Sequence, residues 1–150
     1  MSDLRDLYQD LILEHGKDPR NFRTIEDASG TAEGYNPLCG DRVHVYVKRD
    51  GDTLADVAFT GDGCAISRAS ASLMTQALKG RTTAEADALY AAFHALVTGT
   101  GDAASSPVPL GKLEVFGGVA EFPVRVKCAS LAWHTLRAAL AGSDQSVTTE

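Results

Sequence analysis

The chain contains three cysteines, and each lies in a segment built for chemistry. Cys39 sits in Asn36-Pro37-Leu38-Cys39-Gly40-Asp41, Cys64 in Gly61-Asp62-Gly63-Cys64-Ala65-Ile66-Ser67, and Cys128 in Arg125-Val126-Lys127-Cys128. A thiolate is both a soft metal ligand and a nucleophile. With the carboxylate of Asp41, the three thiols make a four-ligand set of the size a tetrahedral Zn²⁺ takes. The same thiols equip a chain for persulfide exchange or for ligating an iron–sulfur cluster. A purely structural zinc knot uses the same residues, so residue types alone leave these readings open.

Composition narrows the setting. A chain of 150 residues with 44% hydrophobic and 23% charged side chains reads as one domain, 1–150, with a single core. The polar stretch 143–150 reads as a disordered tail. The N-terminus lacks a basic segment followed by an apolar one, and the apolar runs are too short to span a membrane. An odd cysteine count in such a chain argues against a disulfide framework and for a reducing, cytoplasmic setting. The net charge of −6 and a pI near 5.1 argue against nucleic acid as a partner.

The elements that must position the thiols follow from periodicity. Leu4, Leu7, Tyr8, Leu11 and Ile12 share one stripe of a helix over Leu4–Glu14, stopped by Gly16 and Pro19. Residues 23–35, with Gly30 and Gly34, read as loop or a short edge strand. Val43, Val45 and Val47 alternate with His44, Tyr46 and Lys48, then Asp50-Gly51-Asp52 turns the chain and Leu54–Phe59 returns. The open ends of such a hairpin lie roughly 5 Å apart, which brings the Cys39–Asp41 entry beside the Gly63–Cys64 exit although 25 positions separate the two cysteines. Ala65–Lys79 reads as a helix with Cys64 at its N-terminus, where free backbone N–H groups favour a thiolate. Thr82–Val97 is a second such helix, with Thr82 or Thr83 as cap. Residues 98–111 read as a mobile loop, Leu113–Val119 as a short strand or turn, and Lys127–Ala141 as a last helix with Cys128 at its start. The fold class expected is α+β: a small, mainly antiparallel sheet of about three strands with helices packed on one face.

The segments Asn-Pro-Leu-Cys-Gly-Asp at 36–41 and Gly-Asp-Gly-Cys-Ala-Ile-Ser at 61–67 resemble the two signatures of the U-type proteins of iron–sulfur cluster assembly. Lys17-Asp18-Pro19-Arg20-Asn21 is similar to the family's start, and the resemblance covers about residues 4–142. The scaffold branch, IscU-like, has a histidine before the third cysteine and a Leu-Pro-Pro-Val-Lys stretch upstream. This chain has Lys127 and Glu121-Phe122-Pro123-Val124-Arg125 there, with extra residues over 93–119. Both departures resemble the SufU-like branch.

That resemblance implies Zn²⁺ held by Cys39, Asp41, Cys64 and Cys128, and sulfur accepted from a SufS-type, pyridoxal-phosphate cysteine desulfurase for delivery to a downstream SUF cluster-assembly scaffold. One carboxylate among four ligands makes a site that can open. Cys39, in a glycine-flanked loop, is the acceptor expected. The protein then acts as a sulfurtransferase-like co-substrate and activator rather than an enzyme turning over alone. The alternative is a scaffold carrying a [2Fe–2S] cluster on the three cysteines. Lys127 is read as a counter-charge to thiolate or persulfide, or as a solvated cation. Arg125 is read as a partner-facing cation, or as lying on the solvent face of a strand. His44, His15, His94 and His134 read as surface or structural, and Trp133 as packing against the extra segment.

Overall fold

The computed structural model describes residues 2–37, 39–99, 109–141 and 146–148. Helix α1 (Ser2–Lys17) precedes three strands, β1 (Gly30–Asn36), β2 (Asp41–Asp50) and β3 (Thr53–Asp62). Helices α2 (Ala65–Leu78) and α3 (Thr83–Thr98) follow, then a 3₁₀ helix (Gly111–Glu121), α4 (Pro123–Leu140) and a short strand, β4 (Ser146–Thr148). The sheet order is β3-β2-β1-β4. β1, β2 and β3 are antiparallel, and β4 joins β1 in parallel. This is the expected α+β architecture with one added edge. No described helix is long and apolar enough to cross a membrane.

The hairpin forms as its alternation dictates. Val43, Val45 and Val47 are all buried, while His44, Tyr46 and Lys48 alternate with them on the other face. Gly51 takes the left-handed conformation of the turn at φ 64°. Helix α4 lies across β1 and β2, and α2 packs against β3 and α4. Leu54, Val57, Leu73, Met74, Leu78, Leu131 and Leu136 fill the space between. In α3, Thr82 and Glu85 form a capping box, each side chain accepting the other's backbone N–H.

Four readings of the sequence change. The stretch 23–35 contains β1, a strand in the interior of the sheet rather than an edge. Its inward positions are Gly30, Ala32 and Gly34 because α4 lies directly against them. A Cβ on Gly30 would stand 2.1 Å from the Ala139 carbonyl oxygen, and one on Gly34 would stand 2.0 Å from Thr135 Oγ1. Glycine lowers strand propensity but permits this close approach, which hides the strand from a propensity reading.

Helix α4 starts at Pro123, not at Lys127, so Cys128 lies in its second turn. Proline lacks an N–H and holds a helical φ, so it suits a first helical position, and Val124–Val126 continue as helix despite their β-branched character. Arg125 is therefore on a helix, not on a strand. Leu113–Val119 forms part of the 3₁₀ helix, whose Phe116 meets Phe93 of α3 edge-on at 5.7 Å.

Finally, Ser146–Thr148 pairs with Glu33–Tyr35 where a disordered tail is expected from composition. The outer edge of β1 offers N–H and C=O groups that an extended segment satisfies. The rest of 143–150 lies outside the described residues, as does 100–108 of the expected mobile loop.

The Lys17–Asn21 segment also gains a structural role. Asn21 holds φ 56°, uncommon for a side-chain-bearing residue. Its carbonyl accepts the Phe59 N–H of β3 (3.0 Å) and its Nδ2 donates to Thr75 Oγ1 of α2 (3.0 Å). The Arg20 N–H donates to Ser72 Oγ at 2.8 Å. This short segment thus ties α2 to the outer edge of β3.

Candidate metal centre

Strand pairing builds the site. Arg42 of β2 lies opposite Asp62 of β3, so the start of one strand and the end of the other are neighbours. Asp41 Oδ1 accepts the Cys64 N–H at 2.9 Å across that gap. Asn36, opposite Asp41 in the β1–β2 register, directs Nδ2 at Asp41 Oδ2 (3.3 Å) and at Cys128 Sγ (3.5 Å). Between them the chain turns through Gly40, whose N–H reaches the Asn36 carbonyl at 2.8 Å and whose φ is 72°. The turn holds Cys39 outward, and the Cys128 thiol donates to Cys39 Sγ at 3.3 Å.

Of the four residues expected, the donor atoms of Cys39, Asp41 and Cys128 all lie within 4.8 Å of one another. Cys64 stands at the rim of this cluster, with Sγ 4.0 Å from Asp41 Oδ2. As expected, Cys64 caps α2: its Sγ accepts the Ser67 N–H at 3.5 Å. Cys39 and Cys64 are exposed, whereas Cys128 and Asp41 are buried.

The thiols are electronically unequal. The Cys64 thiol is brought down to about 6, chiefly by the Cys128 S–H and then by the backbone N–H groups of Ser67 and Ile66, against the opposing effects of burial and Asp41. Cys128 is pushed up, chiefly because its proton serves Cys64, and then by burial and by contact with Cys39 and Asp41. The Cys128 S–H thus serves both Cys64 and Cys39, and it is the largest cause of the lowered Cys64 value.

These residues fit a metal ion. Asp41 is fully buried, yet among the described residues no cation pairs with it. A buried carboxylate of this kind needs a compensating charge, which a bound cation supplies. Thiols with one carboxylate are a donor set suited to zinc. The geometry also adds two residues that sequence reasoning passed over. Asn36 orients both Asp41 and Cys128. Gly63 leaves room for the carboxylate, since a Cβ there would stand 2.8 Å from Asp41 Oδ1. Their only signal in the sequence is that both lie inside the cysteine motifs.

The two candidate cations are near but not in the cluster. Arg125 is exposed, with its guanidinium 4.5 Å from the Phe122 ring centroid. Lys127 is half-buried beside Cys128. The histidines serve elsewhere. His44 stacks on Tyr46 at 4.8 Å, His15 Nδ1 meets Ser72 Oγ at 2.7 Å, and His134 Nδ1 meets the Tyr90 hydroxyl at 2.7 Å. His94 is exposed and lies 6.2 Å from the His134 ring. Trp133 stacks on Phe93 at 4.6 Å, in the extra segment, as its position predicts.

A family model described as the NifU-like N terminal domain matches residues 7–129, a span that holds all three cysteines. The chain belongs to the NifU-like N-terminal domain family. Within that family it is 40% identical over 140 residues to a Bacillus subtilis protein named zinc-dependent sulfurtransferase SufU, covering 93% of each chain. It is equally 40% identical over 140 residues to a Streptococcus pyogenes protein named iron-sulfur cluster assembly scaffold protein IscU, covering 93% of this chain and 86% of the other. A crystal structure from Fervidobacterium islandicum AW-1, described as a candidate iron–sulfur cluster assembly scaffold for the SUF system, superposes with a TM-score of 0.80 at 37% identity, covering 87% of this chain and 94% of that one. The NifU-like fold therefore extends over nearly the whole molecule.

Proposed function

We propose that this protein is a zinc-dependent sulfur acceptor of iron–sulfur cluster assembly. It takes persulfide sulfur from a SufS-type, pyridoxal-phosphate cysteine desulfurase and passes it towards a SUF assembly scaffold. The observation that carries the reading is the union of one exposed thiol, Cys39, with the buried Asp41 and Cys128 in a single metal-sized cluster. Identity to a relative named as a zinc-dependent sulfurtransferase supports it.

Cys39, Asp41, Cys64 and Cys128 are the ligands proposed. Bound zinc keeps such thiols ionised at neutral pH. Asp41 and Cys128 are fixed by burial and by Asn36, whereas Cys39 sits on an exposed turn that a partner can reach. Cys39 Sγ attacks the outer sulfur of the desulfurase persulfide. A new S–S bond forms at Cys39, the partner's S–S bond breaks, and the electron pair leaves on the partner's cysteine as a thiolate. Lys127 supplies positive charge next to the thiols, and Arg125 faces the partner. The protein is a co-substrate regenerated when the sulfur moves on, in the cytoplasm.

The test is alanine release from cysteine by the cognate desulfurase, with and without the zinc-loaded protein. A stimulation of roughly tenfold or more is expected, equivalent to about 1.4 kcal/mol. Its disappearance with Cys39→Ser and on zinc removal completes the expected result. Full stimulation by Cys39→Ser refutes Cys39 as acceptor. A second reading, a scaffold for a [2Fe–2S] cluster, has the support of equal identity to a relative named as a scaffold. It predicts visible absorbance after anaerobic reconstitution and transfer of the cluster to an apo-acceptor.

A further inference from the structure

Among the described residues Arg68, on the helix that Cys64 opens, lacks a counter-charge. Arg68 follows Cys64 by one turn on α2. Its neighbours are paired: Arg20 with Glu14 and Asp18, Arg23 with Asp56, and Lys79 with Asp56. Among the described residues Arg68 has no ion pair, and its buried Nε has no acceptor. This occurs in a chain carrying 20 acidic residues against 14 Lys and Arg. A buried, unsatisfied guanidinium nitrogen is costly; Nη1 and Nη2 of Arg68 are not among the buried unsatisfied atoms, and they are the donors an outside acceptor can reach.

The surroundings define the kind of acceptor. The guanidinium lies 5.6 Å from the ring centroid of Phe22, which is 42% exposed. Phe22 in turn meets Phe59 edge-on at 5.1 Å, at the outer edge of β3. The outward peptide groups of Phe59 are taken by Asn21 and Arg23. Gly61, two residues further on, has φ 138°, and among the described residues no segment beyond the sheet takes its peptide groups in a backbone hydrogen bond. An open strand end, an exposed aromatic ring and an unpaired cation therefore lie together next to Cys64.

We propose that Arg68, Phe22 and the Gly61 end of β3 form a docking edge for an extended, acidic segment of the sulfur-donating desulfurase. A carboxylate of that segment bonds to Arg68 while its backbone pairs beside Gly61. The proposal rests on the sulfur-acceptor reading for the identity of the partner. Charge complementarity and continuity with the metal centre select the occupant.

Calorimetric binding of the zinc-loaded protein to the cognate desulfurase tests it without requiring sulfur transfer. Arg68→Gln is expected to weaken Kd by roughly ten- to hundredfold. Arg68→Lys should lose less, Phe22→Ala should weaken binding, and the wild-type advantage over Arg68→Gln should shrink as salt rises. Zinc content and thermal midpoint of each variant should match the wild type. Wild-type binding by Arg68→Gln, or an equal loss in Arg68→Gln and Arg68→Lys that salt does not alter, overturns the docking edge and leaves the sulfur-acceptor reading standing. If the wild-type protein neither binds nor stimulates the desulfurase, both fall.

Discussion

Replacing Gly63 with alanine tests the centre through a residue that ligates nothing. The added Cβ would stand 2.8 Å from Asp41 Oδ1, 3.2 Å from its Cγ and 3.3 Å from its Cβ. Relief requires a shift of roughly half an ångström in a close-packed interior. Gly63 itself has no positive φ, so the cost is contact rather than backbone strain. The carboxylate is the part that must give. It is fully buried, held on Oδ1 by the Cys64 N–H and on Oδ2 by Asn36. Hydrogen bonds to a charged group contribute about 1.5–3 kcal/mol, and disturbing the groups that orient a metal ligand lowers metal affinity about ten- to hundredfold. We expect Gly63→Ala to weaken zinc binding within that range, measured by competition against a chromophoric chelator. Gly118→Ala, where an added Cβ meets nothing within 4 Å, is the control and should leave affinity unchanged. An affinity for Gly63→Ala within about twofold of wild type, with Asp41→Ala strongly impaired, would refute the claim that Gly63 exists to seat the carboxylate.

Two further outcomes are expected. Trp133→Ala should destabilise the fold by about 3–5 kcal/mol in urea titration, because the ring is buried and stacked on Phe93. Trp133→Phe should cost less, since the buried indole N–H has no acceptor to lose. His15 sits buried with its titration lowered, chiefly by burial and then by the Arg20 charge. Its Nδ1 meets the Ser72 hydroxyl, which accepts the Arg20 N–H, and burial favours the neutral ring in the folded chain. The unfolded chain therefore takes up the proton first as pH falls. The stability that His15 contributes should be complete above the ordinary value of 6.5 and decline below it. The difference in urea midpoint between wild type and His15→Gln, followed from pH 8 to pH 5, should shrink on acidification; a constant difference would contradict this account.

Much of the molecule was legible in local pattern. The β2–β3 hairpin follows from Val43, Val45 and Val47 with a glycine turn, because a period of two forces one face inward. The capping box at Thr82 and Glu85, and the place of Cys64 at the start of α2, are local hydrogen-bond signatures that short sequence windows contain. From the hairpin alone it follows that Asp41 and Cys64 meet. Long-range packing decided the rest. β1 is a strand although its inward residues are glycine and alanine, because α4 needs that space. Residues 123–126 are helical although two of them are valine, because Pro123 can open a helix whose later turns are buried against the sheet. The fixing of Asp41 by Asn36, the reason for Gly63, and the isolation of Arg68 depend on which groups approach from elsewhere in the chain. The sequence by itself determined the donor types and the hairpin that joins two of them, since both are encoded by neighbours. Only the tertiary structure decided that Cys39 and Cys64 are exposed while Cys128 is buried, and that among the described residues the Asp41 carboxylate is buried without a cation and Arg68 has no acceptor for its Nε, because burial and charge balance belong to the whole packed molecule.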